Sequence, residues 1–282
     1  MNKKSSRHHY IPQFLIKAFY NAENTVYVYD IENDRILTKP KSSKSVLFEW
    51  DRNTFIDIYG EENSIIEDLL FQEWDNNASN VVRKFQTTKL PDQTLLSTNN
   101  VADFVLFIIQ LFWRIPYTDF AFENLIQNAD IDSKNADELK KSEAFKMHQR
   151  TLLYKETTNN VTKVKRKFKG FYAKIFELEK DIFIIGDNPI LYQEIPSTFE
   201  DLYDLDSMVA LSPKRIFTNS LTEIESFGFN KALEYNHFII SQSKRFVCSG
   251  DKTLLEESVK YHKKVKDLFI DEHLKKQLFS DK

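Results

Sequence analysis

Glycine is scarce in this chain, with 5 residues in 282 where average usage of about 7% would place roughly twenty. Neither a GxGxxG nor a GxxxxGK[ST] pattern occurs. The chain is therefore not expected to build the glycine-rich phosphate cradles of Rossmann or P-loop enzymes. Cysteine occurs once, at Cys248, which excludes an intrachain disulfide and a cysteine-based zinc cluster and points to a reducing compartment. Long apolar runs are missing too. The most apolar stretch, Val101 to Trp113, is interrupted by Asp103 and Gln110 and is shorter than the ~20 residues a membrane crossing needs. The amino terminus lacks the apolar core of a secretion signal, so a cytoplasmic protein with no membrane segment is expected. Neither sign of charge dominates: the formal net charge is −3. Any attraction for nucleic acid would have to come from a local basic patch.

What is abundant is aromatic: 24 Phe and 12 Tyr, within a composition that is 41% hydrophobic and 29% charged, as befits a globular fold. Residues 25–60 alternate β-branched and aromatic residues between Asn/Asp turns, predicting short antiparallel strands. From Glu61 to Phe85 apolar residues recur at three- and four-residue steps, predicting one helix. Val101 to Trp113 is apolar nearly all round, as a central buried helix is, and Pro116 ends it. Helices are also expected over Asp119 to Gln127 and Ala136 to Tyr154. Strands are expected over Phe171 to Leu178, Asp181 to Ile185, Met208 to Leu211, Arg215 to Thr218, His237 to Ser241 and Arg245 to Cys248. A long helix, Lys252 to Phe279, closes the chain. The class is α+β: a helical first half (1–154) with a small hairpin region, a mixed or antiparallel sheet in the second half (165–250), and a C-terminal helix (252–279). These form a single domain with a soft internal boundary near residues 155–165.

Four groups of residues carry candidate chemistry. Arg7, His8 and His9 put two imidazoles beside a cation, a set suited to acid–base work or anion binding because imidazole titrates near neutrality. Asp187 and Asn188 follow the apolar segment Ile182 to Gly186, where a rigid strand can deliver a carboxylate, although Asx-Pro turns are also routine there. Gln110 and Arg114 lie four apart on the apolar helix, and so share a face. An arginine in that setting needs a partner, either a carboxylate such as Glu67 or a bound phosphate. Lys165, Arg166 and Lys167 belong to a basic run from Lys163 to Lys169, interleaved with Phe168, Phe171 and Tyr172, which suits a nucleic-acid backbone or a solvated loop. The remaining histidines show no metal-ligand spacing, and Cys248 reads as a buried structural thiol.

Taken in order, these motifs resemble a bacterial and phage family known as domain of unknown function 4238. The resemblance rests on Arg7-His8-His9-Tyr10-x-Pro12-Gln13-Phe14, a glutamate-bearing helix around Glu62 and Glu67, and Gln110-x-x-x-Arg114-x-Pro116. It continues through Asp187-Asn188-Pro189, Leu211-Ser212-Pro213 and Asn236. Gly186 stands where the family usually has serine. The resemblance implies that the polar motifs belong to one design and converge in one site.

Three functions follow as expectations. The first is a phosphoester-cleaving enzyme, a nuclease used in bacterial–phage conflict. In it His8 or His9 is the acid or base, Arg114 neutralises developing charge, and Asp187 and Asn188 orient the imidazole. Gln13, Gln110 and the Lys165–Lys167 run bind substrate, and Glu67 or Asp187 holds a divalent metal if one is used. The second is a non-catalytic nucleotide- or nucleic-acid-binding module. The third is a buried polar network that locks the fold. Oligomeric state is left open.

Overall fold

The computed structural model describes residues 7–56, 61–64, 66, 71–90, 96–128, 130, 135–159, 172–196 and 201–280. Its class is α+β, as expected. Strands β1 (Arg7–His9) and β4 (Phe48–Trp50) make a two-stranded ribbon. Strands β2 (Tyr27–Asp30), β3 (Arg35–Ile36), β8 (Ile185–Gly186) and β12 (Phe246–Ser249) form an antiparallel sheet ordered β3-β2-β12-β8. A second antiparallel sheet, ordered β7-β11-β10-β9, uses β7 (Tyr172–Glu177), β9 (Ile190–Tyr192), β10 (Ser207–Ser212) and β11 (Arg215–Ser220). Strands β5 (Phe55–Ile56) and β6 (Glu62–Asn63) pair with each other.

The helices supply the other layer. A short α1 (Gln13–Lys17) follows the ribbon strand β1, and α2 (Gln72–Thr87) packs on α3 (Thr98–Arg114). Then come α4 (Asp119–Asn128), α5 (Ala136–Lys141) and α6 (Glu143–Asn159). Helix α3 is the buried centre its composition predicted, with Phe104, Ile108, Ile109 and Leu111 almost wholly removed from solvent. Phe104 of α3 and Phe85 of α2 meet Phe217 of β11 edge-on and stacked, at 4.6 and 5.8 Å, so the helical layer and the second sheet share one aromatic core. Among the described residues no single helix is long and apolar enough to cross a membrane.

Several segments differ from expectation. Of Asp181 to Ile185 only Ile185 lies in a strand, and the helix expected over Ala136 to Tyr154 is divided at Ser142 into α5 and α6. Of the helix predicted from Glu61, Gln72–Thr87 is α-helical and Ile66 and Phe71 are π-helical, while Glu62–Asn63 is drawn instead into a strand pair with Phe55–Ile56. His237 to Ser241, read as a strand, lies inside the helix Phe229–Gln242. Its short apolar run, Phe238-Ile239-Ile240, is one face of a longer repeat through Ala232 and Tyr235. The long C-terminal helix runs Lys252–Lys266 and is followed by a second, Asp271–Leu278. Between them Phe269 adopts a left-handed φ of 53° and points into solvent.

These helices and the helix Phe229–Gln242 join in a chain of titratable groups, buried at His237 and His262 and open to solvent at Asp271. His237 Nε2 meets Asp271 Oδ1 at 3.0 Å, and the Nδ1 atoms of His237 and His262 lie 3.2 Å apart. With both rings neutral, His237 donates to Asp271 while accepting from His262. A proton added at His262 Nε2 leaves these bonds in place but puts a charge where burial and Lys266 oppose it, and a second proton on the pair sets the two Nδ1 atoms donor against donor. Burial, His237 and Lys266 together push His262 down to about 4. Its folded value is therefore below its unfolded one, so stability is complete above about pH 6.5 and is lost as pH falls towards 4. The loss should reach at most about 3 kcal/mol. Chemical denaturation from pH 7 to 4 reads it, and His262→Leu should flatten that part of the profile.

Candidate functional site

The ribbon separates the two adjacent histidines. Its register pairs Arg7 with Trp50, His8 with Glu49 and His9 with Phe48. Because side chains alternate along a strand, Arg7, His9, Phe48 and Trp50 share one face while His8 and Glu49 share the other. Two left-handed residues, Leu47 (φ 54°) and Asp51 (φ 53°), bracket β4 and hold it in that position.

His8 points inward. It is 2% exposed, and its Nδ1 accepts the backbone amide of Asn53 at 2.9 Å. His9 is half-buried on the outer face, where its Nε2 meets the Ser43 carbonyl at 2.9 Å. A carbonyl can only accept, so Nε2 carries the proton, and Nδ1 keeps its lone pair, with no partner among the described residues. Burial lowers the ring's proton affinity, as do Arg114 and Arg7, while the Ser43 carbonyl and Asp75 oppose them. The result is a neutral imidazole of fixed tautomer at pH 7. Ser43 is itself held from two sides: Gln13 Oε1 accepts its hydroxyl at 3.1 Å, and its amide donates to the Tyr20 hydroxyl at 2.7 Å. Beside His9 the Arg7 guanidinium lies 5.1 Å from the Phe48 ring and 5.0 Å from the Trp50 ring, and Trp50 is 55% exposed.

Arg114 ends α3 directly beneath. It is 3% exposed, donates to Asp75 Oδ1 at 2.5 Å and to the His9 carbonyl at 3.0 Å, and lies 4.2 Å from the centre of the Phe71 ring. Its own carbonyl accepts from Arg52 Nε at 3.1 Å. Arg52 in turn grips Asp119 with both terminal nitrogens, at 2.6 and 3.0 Å, and bonds Glu49 at 2.8 Å. Arg150 adds a further bond to Asp119 at 2.8 Å. The carboxylate that partners Arg114 is thus Asp75. Glu67, the candidate from sequence, lies outside the described residues. No spacing rule links Asp75 on α2 to an arginine 39 positions later, and Ser43, in a run of small polar residues, had no signal either.

Asp187 spends its hydrogen bonds on another segment. Its carboxylate accepts the backbone amides of Lys244, Arg245 and Phe246 at 3.0, 2.6 and 3.1 Å and is 5% exposed. Burial pushes its proton affinity up, and the amides hold it back. Asn188 is buried beside it, its carbonyl accepting from Gln242 at 2.7 Å. No hydrogen bond among the described residues joins Asp187 to His8 or His9. Between them in the electrostatics stands Tyr10, next in sequence to His9, whose buried phenol is pushed well above its ordinary range by burial and by the Asp187 and Glu49 carboxylates. At Gly186 a side chain would collide with the Ser243 hydroxyl, so the space a serine there would fill is already taken.

Gln110 lies one turn before Arg114, between α3 and α2, lining a separate groove. Lys165, Arg166 and Lys167 fall outside the described residues, and with them the whole Lys163–Lys169 run. Among the described residues no three His, Cys, Asp or Glu side chains are arranged to hold a metal ion. The structure therefore gathers Arg7, His8, His9, Gln13 and Arg114 around the ribbon, while Asp187 and Asn188 form a second cluster bonded to residues 242–246.

A model of the family described as "Protein of unknown function (DUF4238)" matches residues 7–253, a span that holds both clusters. No curated protein and no solved structure matches the chain.

Proposed function

From the premise that the chain belongs to the DUF4238 family, whose description assigns no activity, we propose a phosphoester-cleaving enzyme acting on nucleic acid, with His9 as the proton acceptor. The observation that carries this reading is the His9 ring. It is neutral, locked in one tautomer by the Ser43 carbonyl, and open at Nδ1, on a face that also bears a cation and an exposed aromatic. In this scheme Nδ1 takes the proton of the attacking hydroxyl as its oxygen bonds to phosphorus, and the P–O bond to the leaving oxygen breaks, that oxygen taking its proton from water. Arg7 meets the phosphate, and Trp50 offers its ring to a base. Gln13, through Ser43, and Arg114, through the His9 carbonyl, are positioning residues. Asp187 and Asn188 support the strand behind. The single, buried Cys248 fits a reducing, cytoplasmic setting.

The test is incubation with total RNA and with plasmid DNA, with and without chelator, alongside His9→Ala. Cleavage should disappear in His9→Ala while the melting temperature stays within a few degrees of the parent. For the active protein, kcat/KM should rise with pH to a plateau whose midpoint lies below the ordinary imidazole value of 6.5, since His9 is lowered from it. A second reading, binding without turnover, is favoured by one observation: Arg114 and Asp187 spend their hydrogen bonds within the protein. Gel-shift binding by a protein that never cleaves, reduced by Trp50→Ala, would replace the hydrolytic reading with it.

A further inference from the structure

We propose that the groove between α2 and α3 is a binding site for an uncharged nucleoside, read through the carboxamide of Gln110. This stands apart from the hydrolytic reading, since it uses neither His9 nor its ribbon.

The groove has a volume of about 370 Å³, within the range of small-ligand sites. Trp74, Val81 and Phe107 form its apolar walls. Gln110 also lines it, 5% exposed overall and without a hydrogen bond to any described residue. Its amide atoms are not sealed from solvent. An entering molecule can therefore pair with the carboxamide in place of its water.

The chemistry of the lining narrows the class. A carboxamide presents a donor and an acceptor in one plane, the complement of the amide- or amidine-like edge of a nucleobase. Flat apolar walls suit the base, and the exposed Glu73 and Asp103 carboxylates at the rim can accept ribose hydroxyls. Lys84 is the one cation among the lining residues, against those two carboxylates. The mouth therefore repels a phosphate, and a nucleoside fits better than a nucleotide.

Calorimetric titration of the whole protein with adenosine, guanosine, cytidine and uridine tests this, with the four 5′-monophosphates and glucose as controls. At least one nucleoside should bind with a Kd of about 1 mM or tighter, and roughly tenfold tighter than its monophosphate. Gln110→Leu should weaken that binding at least about tenfold while melting at or above the parent temperature. Asp103→Lys, on the exposed helix face, should narrow the gap between nucleoside and monophosphate. The proposal is overturned if no nucleoside binds, if glucose binds as well as any of them, or if Gln110→Leu binds unchanged. It is overturned equally if Gln110→Leu melts well below the parent, which would make the carboxamide structural.

Discussion

Replacing Arg114 by alanine is expected to lower the unfolding free energy by about 3–5 kcal/mol, read as a fall in the urea midpoint with little change in slope. The change removes the ion pair with Asp75, the bond to the His9 carbonyl and the contact with Phe71 at one stroke. Asp75 is 30% exposed, so water can partly solvate the abandoned carboxylate, which places the loss towards the lower end. Arg114→Lys should recover only part of it. One ammonium lacks the planar fork that reaches a carboxylate and a carbonyl together. Because the lost carbonyl bond belongs to His9, any His9-dependent cleavage should fall with stability in Arg114→Ala, whereas His9→Ala should lose cleavage with its fold intact.

Asp187→Ala is expected to be as damaging, at about 4 kcal/mol, for a different reason. Three backbone amides converge on this carboxylate, and each buried donor left unpaired costs roughly 1–3 kcal/mol. Asp187→Asn does not escape, since its amide nitrogen must face a backbone donor on one side or the other. Hydrogen exchange at Lys244, Arg245 and Phe246 should accelerate in both variants. Unchanged exchange there would separate Asp187 from the loop and return it to the list of reacting groups.

The fold was legible in sequence where one element decides its own state. Helix α3 is apolar nearly all round and could only be central, and the alternating residues from β2 onward could only be short strands. It was least legible where a partner decides. Glu62–Asn63 is a strand because Phe55–Ile56 lies across from it, and Phe238-Ile239-Ile240 reads equally well at either period until the flanking Tyr235 and Ala232 are weighed. The site follows the same division. The motifs marked His8, His9, Gln13, Glu67, Arg114, Asp187 and Asn188 as one site; His8, His9, Gln13 and Arg114 lie around the ribbon, whereas Asp187 and Asn188 bond to another segment. They could not say that His8 faces in and His9 out, because that depends on pairing with a strand forty residues on. They could not supply Asp75 or Ser43, whose roles exist only through tertiary contact, nor separate Asp187, whose amide partners are 57–59 positions downstream.

The sheet ordered β3-β2-β12-β8 also constrains how the molecule comes into being. Strand β2 lies between β3 and β12, and Asp30 of β2 faces Phe246 of β12, roughly two hundred residues further along the chain. While the polypeptide is being made, β2 has for company only the two residues of β3, and an isolated hairpin of that size is marginal in water. Val28 and Tyr29, buried in the finished sheet, stay uncovered until synthesis passes Ser249. Loop closure over that distance makes folding slow and leaves a bare strand edge in the nascent chain. Strand β1, which carries His9, is made before β2 and its ribbon partner β4 after it, and the last strand to be made is the one that joins β2 to β8.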